Sequence, residues 1–172
     1  MPTRDAGDFL EQAYEKGTAM GGELSPAAKN SSPEFLAWAV KAADGAPLQR
    51  IQVIKGWLEN GEARERTFDV SCSDGLEVDP QTHTCPDNGA EVDIASCAIS
   101  RDRGASELFA RWSDPGFDPD QPAFYYLRVI ENPSCRWSTW EAIREGSSPF
   151  HDVTPFIQER AWSSPIWYTP PG

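Results

Sequence analysis

The chain has 172 residues, a formal net charge of −12 and a pI near 4.5. That charge argues against binding to nucleic-acid backbones or anionic membrane surfaces, and no apolar run reaches the ~18 residues of a transmembrane helix. The length fits one domain, or one domain with an appendage. The apolar fraction is only 39%, but seven Trp and eight Phe compensate, because each aromatic side chain buries about 150–250 Å².

Fifteen Pro and thirteen Gly favour turns over long helices. The lysines are Lys16, Lys29, Lys41 and Lys55, and no Lys/Arg cluster is present. Met1-Pro2-Thr3-Arg4-Asp5 is not followed by an apolar h-region, so no signal peptide is expected in this chain. Met1 reads either as a natural start or as an internal boundary.

In chain order, residues 6–16 predict a short amphipathic helix, with Phe9, Leu10, Ala13 and Tyr14 at i, i+3, i+4 spacing and Gly17 to end it. Residues 17–34 show no period and read as a linker or a loop lying over another surface. Residues 35–40 are a continuous apolar run, expected as a buried strand. Residues 48–58 alternate, Asn60-Gly61 is a strong hairpin signal, and residues 64–72 return as the second strand. Residues 73–91 read as a loop with three turn signals. Their acidic residues do not match a calcium loop, because the closing Glu is absent at the required offset.

Residues 92–99 predict a short strand. Residues 106–112 fit either a strand or a helix. The most strand-like run is 123–131, in which Tyr125, Leu127 and Val129 should face a core while Phe124, Tyr126, Arg128 and Ile130 face the other way. Asn132-Pro133 is expected to stop its pairing. Trp137, Trp140 and Ile143 recur every three residues before Gly146, so a helical turn is expected near 137–145. Residues 156–168 read as a last strand, with an edge or bulge at Pro165. The sum is a mainly β chain: an antiparallel β-sandwich of about six to seven strands over 35–172, preceded by an N-terminal helix and linker segment over 1–34.

Cys72, Cys85, Cys97 and Cys135 contain no Cys-x-x-Cys pair, and only His83 and His151 could assist metal binding, so a structural zinc site is not favoured. An even count in a loop-rich chain favours two disulfides and an oxidising compartment, periplasmic or secreted. The favoured pairing is Cys72–Cys85, which closes a local loop, with Cys97–Cys135, which ties a strand end to the tryptophan cluster. Four reduced buried thiols are the competing reading.

The residues offer no catalytic constellation. Ser138, Ser163 and Ser164 lack a Gly-x-Ser-x-Gly setting. Gly21-Gly22 is not a phosphate loop, and no cysteine has a neighbouring base. Catalytic residues and metal ligands are therefore expected to be none. Trp57, Trp112, Trp137, Trp140, Trp162 and Trp167 serve either as core filling or as a sugar-stacking platform. Trp57, at a strand end beside a hairpin, is expected to be the least buried and is the candidate ligand-binding residue.

Residues 50–57 (Arg-Ile-Gln-Val-Ile-Lys-Gly-Trp) and 124–129 (Phe-Tyr-Tyr-Leu-Arg-Val) carry a resemblance, together with 135–140 (Cys-Arg-Trp-Ser-Thr-Trp) and 159–167 (Glu-Arg-Ala-Trp-Ser-Ser-Pro-Ile-Trp). These strings resemble the carboxy-terminal part of a large bacterial family known only as a domain of unknown function. The full-length members resemble PHP (polymerase and histidinol phosphatase) metallohydrolases, with a His-x-His motif opening a metal-binding barrel. This chain has no His-x-His, and no catalytic residue is carried over. The resemblance implies a non-catalytic accessory domain that follows the barrel. Residues 1–34 would pack on the N-terminal catalytic domain of the same polypeptide, and a divalent metal is expected only there. The alternative is a secreted carbohydrate-binding module using exposed tryptophan. A homo-oligomer formed through residues 35–40 and the final strand is a further expectation; nucleic acid and membrane insertion are not.

Overall fold

The computed structural model of the protein describes residues 14–15, 17–24, 32–148 and 151–170. Most of the helix expected over 6–16 lies outside these residues; Tyr14 and Glu15 are helical. Ten strands and one helix follow in the order β1 (Glu23–Leu24), β2 (Glu34–Val40), β3 (Leu48–Glu59), β4 (Glu62–Cys72), β5 (Val92–Asp93), β6 (Ala98–Ile99), β7 (Glu107–Ser113), β8 (Ala123–Cys135), α1 (Trp137–Glu145), β9 (Phe156–Trp162) and β10 (Ile166–Tyr168). The large sheet runs β1-β10-β8-β3-β4, with β9 also pairing β8; β2 and β7 form a second sheet, and β5 and β6 a third.

The β3–β4 hairpin forms where the alternation and Asn60-Gly61 place it. Glu59 faces Glu62 across the turn, and both central residues have positive φ, 52° at Asn60 and 81° at Gly61. A tight two-residue turn matching the strand twist requires that geometry, which Asn and Gly adopt at least cost.

β8 is the middle of the large sheet. On one side it pairs antiparallel with β3 from Trp57↔Ala123 to Leu48↔Glu131. On the other it pairs first with β10 through 123–125 and then with β9 through 128–135. The expected last strand is thus two strands, broken at Ser163-Ser164-Pro165. Ser163 closes the break: its N–H donates to the Leu127 carbonyl and its Oγ accepts from the Leu127 N–H, at 3.1 and 2.9 Å.

Asn132-Pro133 does not stop the strand. β8 continues to Cys135, because the register with β9 shifts between Ile130 and Pro133. The residue without an N–H is taken up in that irregularity. The expected strand over 92–99 is instead a miniature hairpin, β5–β6. Asp93 turns it by accepting from the Ala95 N–H and the Ser96 hydroxyl. Residues 106–112 resolve to strand. These short and split elements raise the count from six or seven to ten.

The β2–β7 sheet lies on the inner face of the large sheet and makes a sandwich. Phe35, Val53, Ala123, Tyr125 and Tyr168 form one buried cluster; Ala37, Leu48, Ile51, Leu108 and Ala110 form the next. Tyr125 sits 4.6 Å from Phe35, ring to ring, and Trp112 stands 5.1 Å from Phe68. β2 is buried on this face alone. Leu36, Trp38 and Val40 point outward and are exposed, so the apolar run is not the doubly buried strand its composition implies. β1 adds in parallel to β10 at the sheet edge, so residues 23–24 of the segment read as linker belong to the sheet.

Cys72–Cys85 and Cys97–Cys135 are both bonded, over separations of 13 and 38 residues. Two disulfides fit an oxidising, extracellular or periplasmic environment. Loop-closure entropy assigns about 3 kcal/mol to the short loop and about 4 kcal/mol to the long one. The double substitution Cys97→Ser/Cys135→Ser should therefore lower the urea midpoint more than Cys72→Ser/Cys85→Ser. The opposite order would show that the loop held by Cys85 depends on its bridge beyond chain entropy.

Candidate functional site: the outward face of the large sheet

Buried ionisable groups are the first place to look for chemistry. Lys55, on the inner face of β3, places Nζ 2.5 Å from Asp114 Oδ2, and both side chains are almost fully buried. It also donates to the Gly116 carbonyl at 2.8 Å. The Tyr125 hydroxyl donates to the same Asp114 oxygen at 2.8 Å. Burial, then the Asp114 hydrogen bond and charge, push the Tyr125 phenol well above its usual range. Asp114 Oδ1 also accepts from the Gly116 N–H. Each charge has its partner, and none of the three side chains lines either groove described below, so this cluster serves the sandwich core.

A second network joins the loop over 73–91 to the sheet. Asn88 donates to Ser73 Oγ, Asp74 Oδ2 and Asn132 Oδ1, and accepts from Gln49. Asp74 in turn takes the Gly104 N–H. Although partial burial opposes it, bonds from Ser73, Gly104 and Asn88 hold the Asp74 carboxyl below its ordinary value. These too are structural roles.

The face of the large sheet turned away from β2–β7 differs. Strand register sets its rows. Asp69, Gln52, Arg128 and Trp162 lie side by side on β4, β3, β8 and β9. Gln52 donates to Asp69 at 2.6 Å and accepts from Arg128 Nε at 2.7 Å. Asp69 also takes the Cys85 N–H at 2.7 Å, with Arg50 Nε 3.6 Å away. A groove of about 500 Å³ opens here between the sheet and loop residues 83–90. Gln158 lines both this groove and a neighbouring one of about 270 Å³ that holds Arg136, Glu159, Arg160 and Trp162.

A row of rings continues along β8. Phe124 lies over Gly56 of β3, where a Cβ would come within 2.2 Å of the ring. It stacks with Tyr126 (12° between planes, 6.3 Å) and lies 5.3 Å from Trp167. Trp162 is 59% exposed and Trp167 50%. Trp57 is not the least buried tryptophan. It is half-buried, packed against the first core cluster with the Lys55 ammonium 5.3 Å from its ring centre, because its strand position faces inward. Trp137, at 70%, is far more exposed.

His83 lines the large groove with its ring edge-on to Phe68, and His151 is exposed in a turn. The four cysteines are all in disulfides, far from any nucleophilic role. Among the described residues no group of three His, Cys, Asp or Glu could hold a metal ion, and no helix is long and apolar enough to cross a membrane.

Residues 2–170 match the model of a family described as a protein of unknown function (DUF3604). The chain belongs to that family. No curated protein and no solved structure matches the chain. Within this family member, the strings around Arg136 and Trp162 come from distant parts of the sequence and meet at the smaller groove.

Sequence reasoning singled out Trp57 and named Trp162 and Trp167 only within the wider tryptophan set, without placing them on one face. Alternation in 123–131 had already separated Phe124, Tyr126 and Arg128 from the core set; pairing this outward set with Trp162 required the register.

Asp114→Ala should cost about 3–5 kcal/mol, because it leaves Lys55 charged and buried without its partner. Lys55→Met/Asp114→Leu should recover most of the loss, as read by urea denaturation. Gly56→Ala should push the Phe124 ring aside at about 1–3 kcal/mol. The near-UV circular dichroism of the ring row should change with it; an unchanged spectrum would show that the ring adjusts freely.

Proposed function

We propose that the chain is a non-catalytic accessory domain of a longer polypeptide. One observation carries this reading: the buried ionisable groups Lys55, Asp69 and Asp114 are committed to each other, to amides and to backbone. What the domain offers outward is aromatic rings and guanidinium groups, which bind rather than react. The resemblance to the region following a PHP-like barrel supplies the partner, the metal-dependent hydrolase part of the same polypeptide. β1 adds to the edge of the large sheet beside β10, which anchors the N-terminal segment to the sandwich and gives the connection to that partner a fixed origin.

A second reading, a ligand-binding module, is favoured by Trp162 and Trp167 standing exposed on one sheet face. It is compatible with the first, since an accessory domain serves a hydrolase by holding its substrate.

The purified chain, assayed with added manganese, zinc or magnesium against a phosphomonoester and a phosphodiester, is expected to show no turnover. Metal-dependent turnover that survives further purification would overturn the accessory reading.

A further inference from the structure

The protein carries 27 acidic residues against 15 Lys and Arg, so its cations have an excess of carboxylates to pair with. Arg64 and Arg111 pair with glutamates, whereas Arg66, Arg101, Arg103 and Arg144 form no ion pair with any described residue. What sets the outward face of the large sheet apart is that its unpaired arginines lie beside exposed rings. Arg128, Arg136 and Arg160 form no ion pair with any described residue. Arg128 is held by the neutral amide of Gln52. Arg136 and Arg50 each have a buried Nε without a hydrogen-bond acceptor, an arrangement that costs free energy unless the rest of the guanidinium finds good partners.

These cations are interleaved with exposed rings. Trp162 is the register neighbour of Arg128 and shares the smaller groove with Arg136 and Arg160. Trp167, Phe124 and Tyr126 extend the surface along β8. From the Phe124 row to the Arg128 row is four residues, about 13 Å at about 3.3 Å per residue. Flat rings stack on the apolar faces of sugar rings. Planar amides and guanidinium forks satisfy hydroxyl and carboxylate oxygens. A strip that offers both over this length, with three arginines outside any ion pair with a described residue and one carboxylate, Glu159, among the residues lining the smaller groove, has the chemistry of a site for a charged sugar chain rather than for a single small anion.

We propose that this face binds a short anionic oligosaccharide, one bearing carboxylate or sulfate groups, with Trp162 stacking on a sugar ring and Arg160 and Arg136 meeting the charge. The assignment rests on the ligand-binding reading above and not on the accessory-domain reading. The strip is short and the chain carries a net charge of −12, which favours an oligosaccharide with a few charged groups over a long polyanion.

The test is calorimetric titration of the full chain with three sets of oligosaccharides at matched length: uronate oligomers, sulfated galactose oligomers and neutral β-glucan oligomers. Binding to one or both charged sets, at least tenfold tighter than to the neutral set and weakened by salt, is expected. Trp162→Ala and Arg160→Ala, both at exposed positions and checked for an unchanged thermal midpoint, should each weaken it at least tenfold, while Trp137→Ala should not. Binding to uronates alone identifies carboxylate as the recognised group, and binding to sulfated chains alone identifies sulfate. Neutral oligomers binding as tightly as charged ones would overturn the anionic assignment and keep the ligand-binding reading. No binding to any set, binding unaffected by Trp162→Ala, or equal competition by an acidic peptide would overturn the proposal.

Discussion

The pairing of β8 with β3 is the constraint on which the other parts depend. β8 is flanked on both sides, so its register fixes two faces at once. Inward, Tyr125, Leu127 and Val129 meet Phe35, Ala37 and Leu108 of the second sheet. Outward, Phe124, Tyr126 and Arg128 build the ring and guanidinium rows. A slip of one residue would exchange the two sets. Three local contacts oppose it: the Phe124 ring fits only over a residue without a Cβ, Gly56; Tyr125 must reach Asp114; and Leu127 is gripped at both backbone groups by Ser163. Each involves a different strand or loop, so the register is specified redundantly.

The long loop over 73–91 has no secondary structure, which is unusual in a compact domain. It is held by a covalent tie at Cys85 and by buried side chains that substitute for strand pairing. Asp69 takes the Cys85 N–H, the His83 carbonyl takes the Asp69 N–H, and Asn88 bonds four other side chains. This anchorage gives the outward face its wall. A loop pinned by amides and a disulfide keeps the large groove open, because it cannot collapse onto the sheet without leaving Asn88 and Asp69 unpaired.

Much of the fold was legible in the sequence, and the reasons are local. Asn60-Gly61 specifies its own turn, the 123–131 alternation specifies its own faces, and α1 ends at Gly146, whose φ of 65° is the left-handed cap that glycine favours. The misreadings share a different cause. Pro133 signalled a stop because strand termination by proline is a statement about one missing N–H; whether that donor is needed depends on what lies alongside. Its place near a turn makes Trp57 the tryptophan expected to be least buried, but its face is set by parity with Val53, which only the core reveals. Ser163-Ser164-Pro165 read as part of a strand because a serine that bonds to Leu127, as Ser163 does, looks, in one dimension, like any other polar step. The outward face was half visible: β8 announced its rings and Arg128, and the contribution of β9 did not exist until register placed it beside them.

Net charge and local charge answer different questions here. At physiological ionic strength a charge is screened over about 8 Å, so the excess of carboxylates elsewhere acts on an approaching ligand only at long range. There it slows encounter with any extended polyanion. In the larger groove the Asp69 carboxylate is already taken by Gln52, the Cys85 N–H and Arg50; in the smaller one Glu159 stands beside two guanidinium groups, those of Arg136 and Arg160. A protein of this net charge can therefore repel an extended polyanion at a distance and still present guanidinium groups at contact range. Selection by length follows from the physics: a ligand must be short enough to escape the outer field and long enough to reach from a ring to a guanidinium. The strip along β8 and β9 imposes both limits, and it exists because one strand is paired on both sides.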